Sequence, residues 1–138
     1  MTNPRGLLLG YQLLTGLSDA VTGVLLLFAP TLTMRLMGLH AAPDTLPFLS
    51  YIGAFVLSVG LACLYGAQLT RRKGSGQKLE AVWLLTAITR GLVALFIVWK
   101  ISSDALELGW ATVAFSDGAL ALLQTIGLDR GWLNRAAD

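Results

Sequence analysis

The chain has 138 residues, of which 55% are hydrophobic and 13% charged, with a formal net charge of +2. A soluble domain carries about 25% charged residues, and so short a chain could not hide this much apolar surface from water. One cysteine and one histidine exclude an internal disulfide, a Cys-based metal site and a multi-His metal site, and a His–nucleophile pair is not expected because His40 falls outside the apolar runs.

Residues 1–6 are short and polar. Residues 7–29 form the first apolar run, long enough to span a hydrocarbon core that needs about 20 apolar residues, and too long for a cleavable signal. Pro30 closes it. In residues 31–39, Leu32, Leu36 and Leu39 fall on one helical face. That pattern predicts a short helix lying in the membrane interface, or else an irregular connector. Residues 40–44, with Pro43, read as a loop.

The second apolar run, 47–69, opens on Pro47 and carries Gly53, Gly60 and Gly66, with Ser58 and Cys63 between them. Proline suits a first helical turn, and small residues let helices approach closely in lipid. Cys63 reads as a packing residue. Residues 70–78 (TRRKGSGQK) are hydrophilic and turn-rich. The third run, 79–99, has Glu80 at its start, where it is solvated or paired with Lys78, and Arg90 at its centre. A polar connector, 100–107, leads to the fourth run, 106–128, centred on Asp117. The tail, 129–138, is polar.

These elements predict an all-α integral membrane four-helix bundle of one domain, with an interfacial helix between spans one and two. Four spans put both termini on one side. Arg5, Arg71, Arg72, Lys73, Lys78, Arg130 and Arg135 fall on that side, whereas Arg35 and Lys100 share the other with Asp44, Asp104 and Glu107. Excess Lys and Arg mark the cytoplasmic face, so the expectation is a protein of the cytoplasmic membrane with both termini inside. Trp83, Trp99, Trp110 and Trp132 fall near the expected interfaces, as an aromatic belt would. The basic cluster at 71–78 lacks interleaved aromatics for base stacking. It reads as a topology signal touching anionic headgroups, not as a nucleic-acid site.

Asp19, Arg90 and Asp117 stand near the middle of their spans. Each lies roughly 17 Å from its helix start at about 1.5 Å per residue, near the bilayer midplane, where ionised groups are costly and often functional. Gln12 precedes Asp19 by seven residues and Gln124 follows Asp117 by seven, which keeps each pair on one helical face. Opposite helix directions put both glutamines about 10 Å toward the cytoplasm. Ser18 and Ser116 precede the two aspartates in a short internal echo. Thr15 and Thr22 extend the polar face of span one, and Thr86 stands four residues before Arg90. Ala87/Gly91 and Ala114/Gly118 are small-residue pairs that would let spans one, three and four meet.

Two carboxylates and one permanently charged guanidinium leave one negative charge over. Either the trio is structural glue, with one acid neutral, or the surplus carboxylate serves a ligand or a proton. The leading expectation is a membrane protein that binds a small ligand or partner through this centre, with Gln12, Thr15, Ser18, Asp19, Thr22, Thr86, Arg90, Ser116, Asp117 and Gln124 as its ligand- or proton-binding residues. The alternatives are a proton-coupled transporter or channel, which would need a homodimer to enclose a path, and a structural accessory subunit of a membrane complex. No cofactor, metal or nucleic acid is expected. Met34 and Met37 read as interfacial packing. An enzyme is the class least supported, because no HExxH, phosphate loop or mid-membrane lysine is present.

The order of first span, Ala29-Pro30, the segment Met34-Arg35-Leu36-Met37-Gly38-Leu39 and three further spans resembles small bacterial four-span membrane proteins of the DoxX-like kind. The resemblance covers most of the chain. It implies a four-helix bundle and assigns no functional residue.

Overall fold

The computed structural model describes residues 4–137, with the side chains of residues 135–137 left aside, and holds helices but no strand among them. Positions 1–3, the start of the polar N-terminal stretch, lie outside the described residues, as do the end of the tail at 138 and the side chain of Arg135. The order is α1 (Pro4–Phe28), α2 (Pro30–Leu36), a 3₁₀ turn at Pro43–Thr45, α3 (Leu46–Arg71), α4 (Gly76–Ser102), a 3₁₀ turn at Leu108–Trp110, α5 (Ala111–Asp129) and α6 (Trp132–Ala137).

Four helices are long and apolar enough to cross a membrane, and only 22–33% of their most apolar windows is buried within the chain. Outward-facing Leu14, Phe28, Phe48, Leu85, Leu95 and Phe115 are each more than 60% exposed. Such a surface suits acyl chains, because lipid tails solvate apolar side chains as well as a protein core does.

The helices pair. α1 packs along α3, α4 packs along α5, and α3 meets α4, whereas α1 and α4 have little backbone contact. Glycines set the first pairing. A Cβ at Gly60 would come within 2.5 Å of the Ala20 nitrogen, one at Gly53 within 2.6 Å of the Leu27 nitrogen, and one at Gly23 would strike the Leu57 backbone. Of the small residues anticipated in span two, Gly53, Gly60 and Gly66 do lie at a close approach to α1, whereas Ser58 is exposed and bonds back to the Phe55 carbonyl of its own helix. In the second pair the contact is looser. A Cβ at Gly91 would meet the Ala121 methyl at 3.9 Å, and one at Gly118 the Ala94 methyl at 3.6 Å.

Several boundaries differ from the sequence reading. The fourth span begins at Ala111 after a 3₁₀ turn, not at 106. The reason is the end of α4: the Ala105 and Leu106 N–H groups bond back to the Lys100 carbonyl, and Asp104 takes φ 55°. Those residues cap one helix instead of opening the next. The short helix α2 exists, but Leu39 is not on its face with Leu32 and Leu36. Gly38 reverses the chain at φ 69°, and Leu39 turns inward beside Met34 and Leu49. Trp83 is no interface anchor: it is 2% exposed, inside the bundle. Of the two expectations for Glu80, the ion pair with Lys78 does not form among the described residues, and the side chain is partly exposed instead. The tail is not merely polar either. Residues Trp132–Ala137 form a helix whose Leu133 is fully buried against Leu8, Leu69, Leu79 and Trp83.

That cluster gathers the start of α1, the end of α3, the start of α4 and α6, so both ends of the chain lie at one end of the bundle. Arg5 donates from Nε to the Thr70 carbonyl there, at 2.9 Å. At the opposite end, the Glu107 carboxylate accepts from the His40 N–H at 2.9 Å and meets its Nδ1 at 3.4 Å. This contact joins the two connecting segments.

Candidate functional site

Three helices each contribute one charge to a single cluster. Arg90, on α4, sits where the α1–α3 and α4–α5 pairs face one another. Its guanidinium forks: Nη1 donates to Asp117 Oδ1 at 2.7 Å, and Nη2 donates to Asp19 Oδ2. The Arg90 side chain is 4% exposed and each aspartate side chain 20%. The planar fork of arginine serves two carboxylates at once, which a lysine point charge cannot do equally well. Since the α1 and α4 backbones scarcely touch, this long side chain spans the gap between the pairs.

A second polar layer lies seven residues nearer the chain ends. Gln124 donates from Nε2 to the Thr86 hydroxyl at 2.8 Å, and that hydroxyl donates in turn to the Val82 carbonyl at 2.8 Å. The Gln12 carboxamide lies between Trp83 Nε1 and the Cys63 carbonyl, and with its amide turned to suit them its oxygen accepts from Trp83 Nε1 at 2.5 Å and its nitrogen donates to the Cys63 carbonyl at 3.2 Å. Gln12 and Gln124 are both fully buried. Thr15 is buried too, its hydroxyl bonding the Tyr11 carbonyl at 2.8 Å. The Cys63 thiol lies beside Thr15 and Arg90.

Three buried atoms have no hydrogen-bond partner among the described residues: Arg90 Nε, Gln124 Oε1 and the Tyr11 hydroxyl. Buried polar atoms are usually paired, and these three sit in or next to the polar layers.

The structure thus brings together Asp19, Arg90 and Asp117, and below them Gln12, Gln124 and Thr86. It does not bring in Ser18 or Ser116. Both face outward, and the Ser116 hydroxyl closes on its own helix at the Val113 carbonyl, 3.0 Å away. The physical reason is angular. Adjacent residues on a helix point about 100° apart, so a serine next to an inward aspartate cannot share its face. Thr22 is only half-buried. Trp83 and Tyr11 were missed as members of the polar layer. A signal for Trp83 was present, since it precedes Arg90 by seven residues just as Gln12 precedes Asp19.

No group of three His, Cys, Asp or Glu residues suited to a metal occurs among the described residues. A cavity at one end of the bundle, beside α2, and a small crevice at the other both lie away from the trio. The chemistry available at the centre is therefore charge pairing and hydrogen bonding. Each carboxylate gives one oxygen to Arg90, and the other oxygen, Asp19 Oδ1 or Asp117 Oδ2, has no hydrogen bond among the described residues.

The four long apolar helices make this a multi-pass membrane protein. No family model, no curated protein and no solved structure matches the chain.

Proposed function

We propose that this is a small protein of the cytoplasmic membrane, with both termini on the cytoplasmic side, that binds a cationic or hydrogen-bond-donating ligand or partner at Asp19 and Asp117. One observation carries the reading. Two carboxylates share one guanidinium, and each keeps an unbonded oxygen on a partly open side chain. A surplus negative charge at this depth in lipid is expensive unless something neutralises it, and acyl chains offer no donor. The resemblance to DoxX-like proteins implies the four-helix bundle alone and adds neither an activity nor a residue to this reading.

The test is equilibrium binding of tetraphenylphosphonium, a lipid-soluble cation, to the protein in nanodiscs. Wild-type protein should bind it above the level of empty discs. Asp19→Asn and Asp117→Asn should each weaken binding about tenfold, the loss of one carboxylate charge facing the cation. Equal binding by all three proteins, or none by the wild type, would refute the proposal.

The same surplus charge supports a second reading, in which a proton replaces the cation and drives transport in a homodimer. Proteoliposomes would then show pH-driven flux that either substitution abolishes.

A further inference from the structure

At the end of the bundle away from the termini, a cavity of about 350 Å³ opens between α2 and the segment after it, lined by Thr31, Met34, Arg35, Gly38, Leu39 and His40. Its shape is built in. Gly38 takes φ 69°, its N–H bonds the Arg35 carbonyl at 3.1 Å, and the Leu39 N–H bonds the Met34 carbonyl at 2.9 Å. This is the left-handed turn that ends many helices. A Cβ at Gly38 would meet nothing within 4 Å, so conformation, not space, asks for glycine here. The far wall is fixed from the other helix pair, because Glu107 holds the His40 backbone N–H and ring Nδ1.

The chemistry of the lining is divided. Met34 and Leu39 are 3% and 5% exposed and supply an apolar floor. Arg35 is exposed and makes no ion pair among the described residues. Glu107 engages Nδ1 of His40, which leaves Nε2 of a ring that is 95% exposed. The Thr31 hydroxyl stands one turn from Arg35 on the same face of α2. Leu32 and Leu36 point outward at 47% and 69% exposure, so α2 lies with an apolar edge toward the acyl chains, as an interfacial helix does. The cavity is thereby set at the level of lipid headgroups.

We propose that this cavity binds a phosphate oxyanion, with Arg35 as its charged partner and His40 and Thr31 as hydrogen-bonding neighbours, and that the phosphate belongs to an anionic phospholipid. The apolar floor and the interfacial position favour the lipid over free phosphate. The site is separate from Asp19 and Asp117, so it stands or falls independently of the ligand proposed there.

His40 is the only histidine in the chain, so its ring signals report on this cavity alone. The experiment is NMR of the His40 ring in nanodiscs of phosphatidylcholine with increasing phosphatidylglycerol, paired with native mass spectrometry of retained lipid. Wild-type protein should show saturable shifts and retain phosphatidylglycerol. Arg35→Gln should need about tenfold more phosphatidylglycerol, Arg35→Lys should keep most of the binding, and Arg72→Gln, at the opposite end, should leave the His40 response unchanged. Because Arg35 is exposed, the Gln variant is expected to fold, and its thermal unfolding checks this. An identical His40 titration in wild type and Arg35→Gln would overturn the proposal. So would His40 shifts produced as readily by inorganic phosphate in pure phosphatidylcholine discs, which would remove the lipid as the source.

Discussion

Replacing Arg90 by alanine tests the centre of the bundle most directly. The substitution removes charge-assisted hydrogen bonds to both Asp117 and Asp19 from a side chain that is only 4% exposed. Bonds to charged groups are worth about 1.5–3 kcal/mol each, and breaking a buried pair by deleting one partner costs about 3–5 kcal/mol. It also cuts the one side-chain bridge that joins Asp19 on α1 to Asp117 on α5, so the two helix pairs should separate more readily. The expected loss is about 3–5 kcal/mol, read by denaturant-titrated unfolding of the detergent-solubilised protein followed by circular dichroism. Arg90→Lys should recover part of it, since a point charge cannot fork between two carboxylates. The combined variant Asp19→Asn, Arg90→Met, Asp117→Asn should recover more than Arg90→Lys, because removing all the charges leaves no uncompensated ion behind. If Arg90→Ala unfolds within about 1 kcal/mol of wild type, well below the cost of a broken buried pair, the trio is not what holds the pairs together.

Two further outcomes follow from the geometry. Gly23→Ala should lower thermal stability by about 1–3 kcal/mol through overpacking against the Leu57 backbone, whereas Gly118→Ala, with its nearest neighbour at 3.6 Å, should be neutral or stabilise by up to about 1 kcal/mol through helix propensity. At the far end, the hydrogen bond from the His40 backbone, together with its ring, holds the Glu107 carboxyl below the usual carboxylate range. A depressed carboxyl contributes above its unfolded value and loses that contribution as pH falls through the folded one. Protection of the His40 amide, taken relative to its intrinsic exchange rate at each pH, should therefore be high at neutral pH and be lost below the usual carboxylate range, and Glu107→Gln should flatten that dependence.

Much of this architecture was legible in the linear chain. The length of the apolar runs required spanning helices, because the backbone in lipid must satisfy its own hydrogen bonds. Central placement of Asp19, Arg90 and Asp117 required them to share a depth, and seven-residue spacing put Gln12 and Gln124 in a layer beneath. Two carboxylates against one guanidinium follow from the sequence alone.

Tertiary structure alone decided which neighbours those residues found. Sequence spacing fixes depth and face along one helix but not the rotation of that helix against its partners. Thus Ser18 and Ser116, beside the aspartates in sequence, face outward, while Trp83, which the sequence places near an interface, lies beside Gln12 in the interior. The pairing of α1 with α3 came from backbone approach at Gly23, Gly53 and Gly60, and only that pairing leaves a gap that the Arg90 side chain can bridge. Leu133 reads as part of a polar tail because the few apolar residues of 129–138 are interleaved with Asp, Arg and Asn; it is buried because the ends of three other helices converge to cover it.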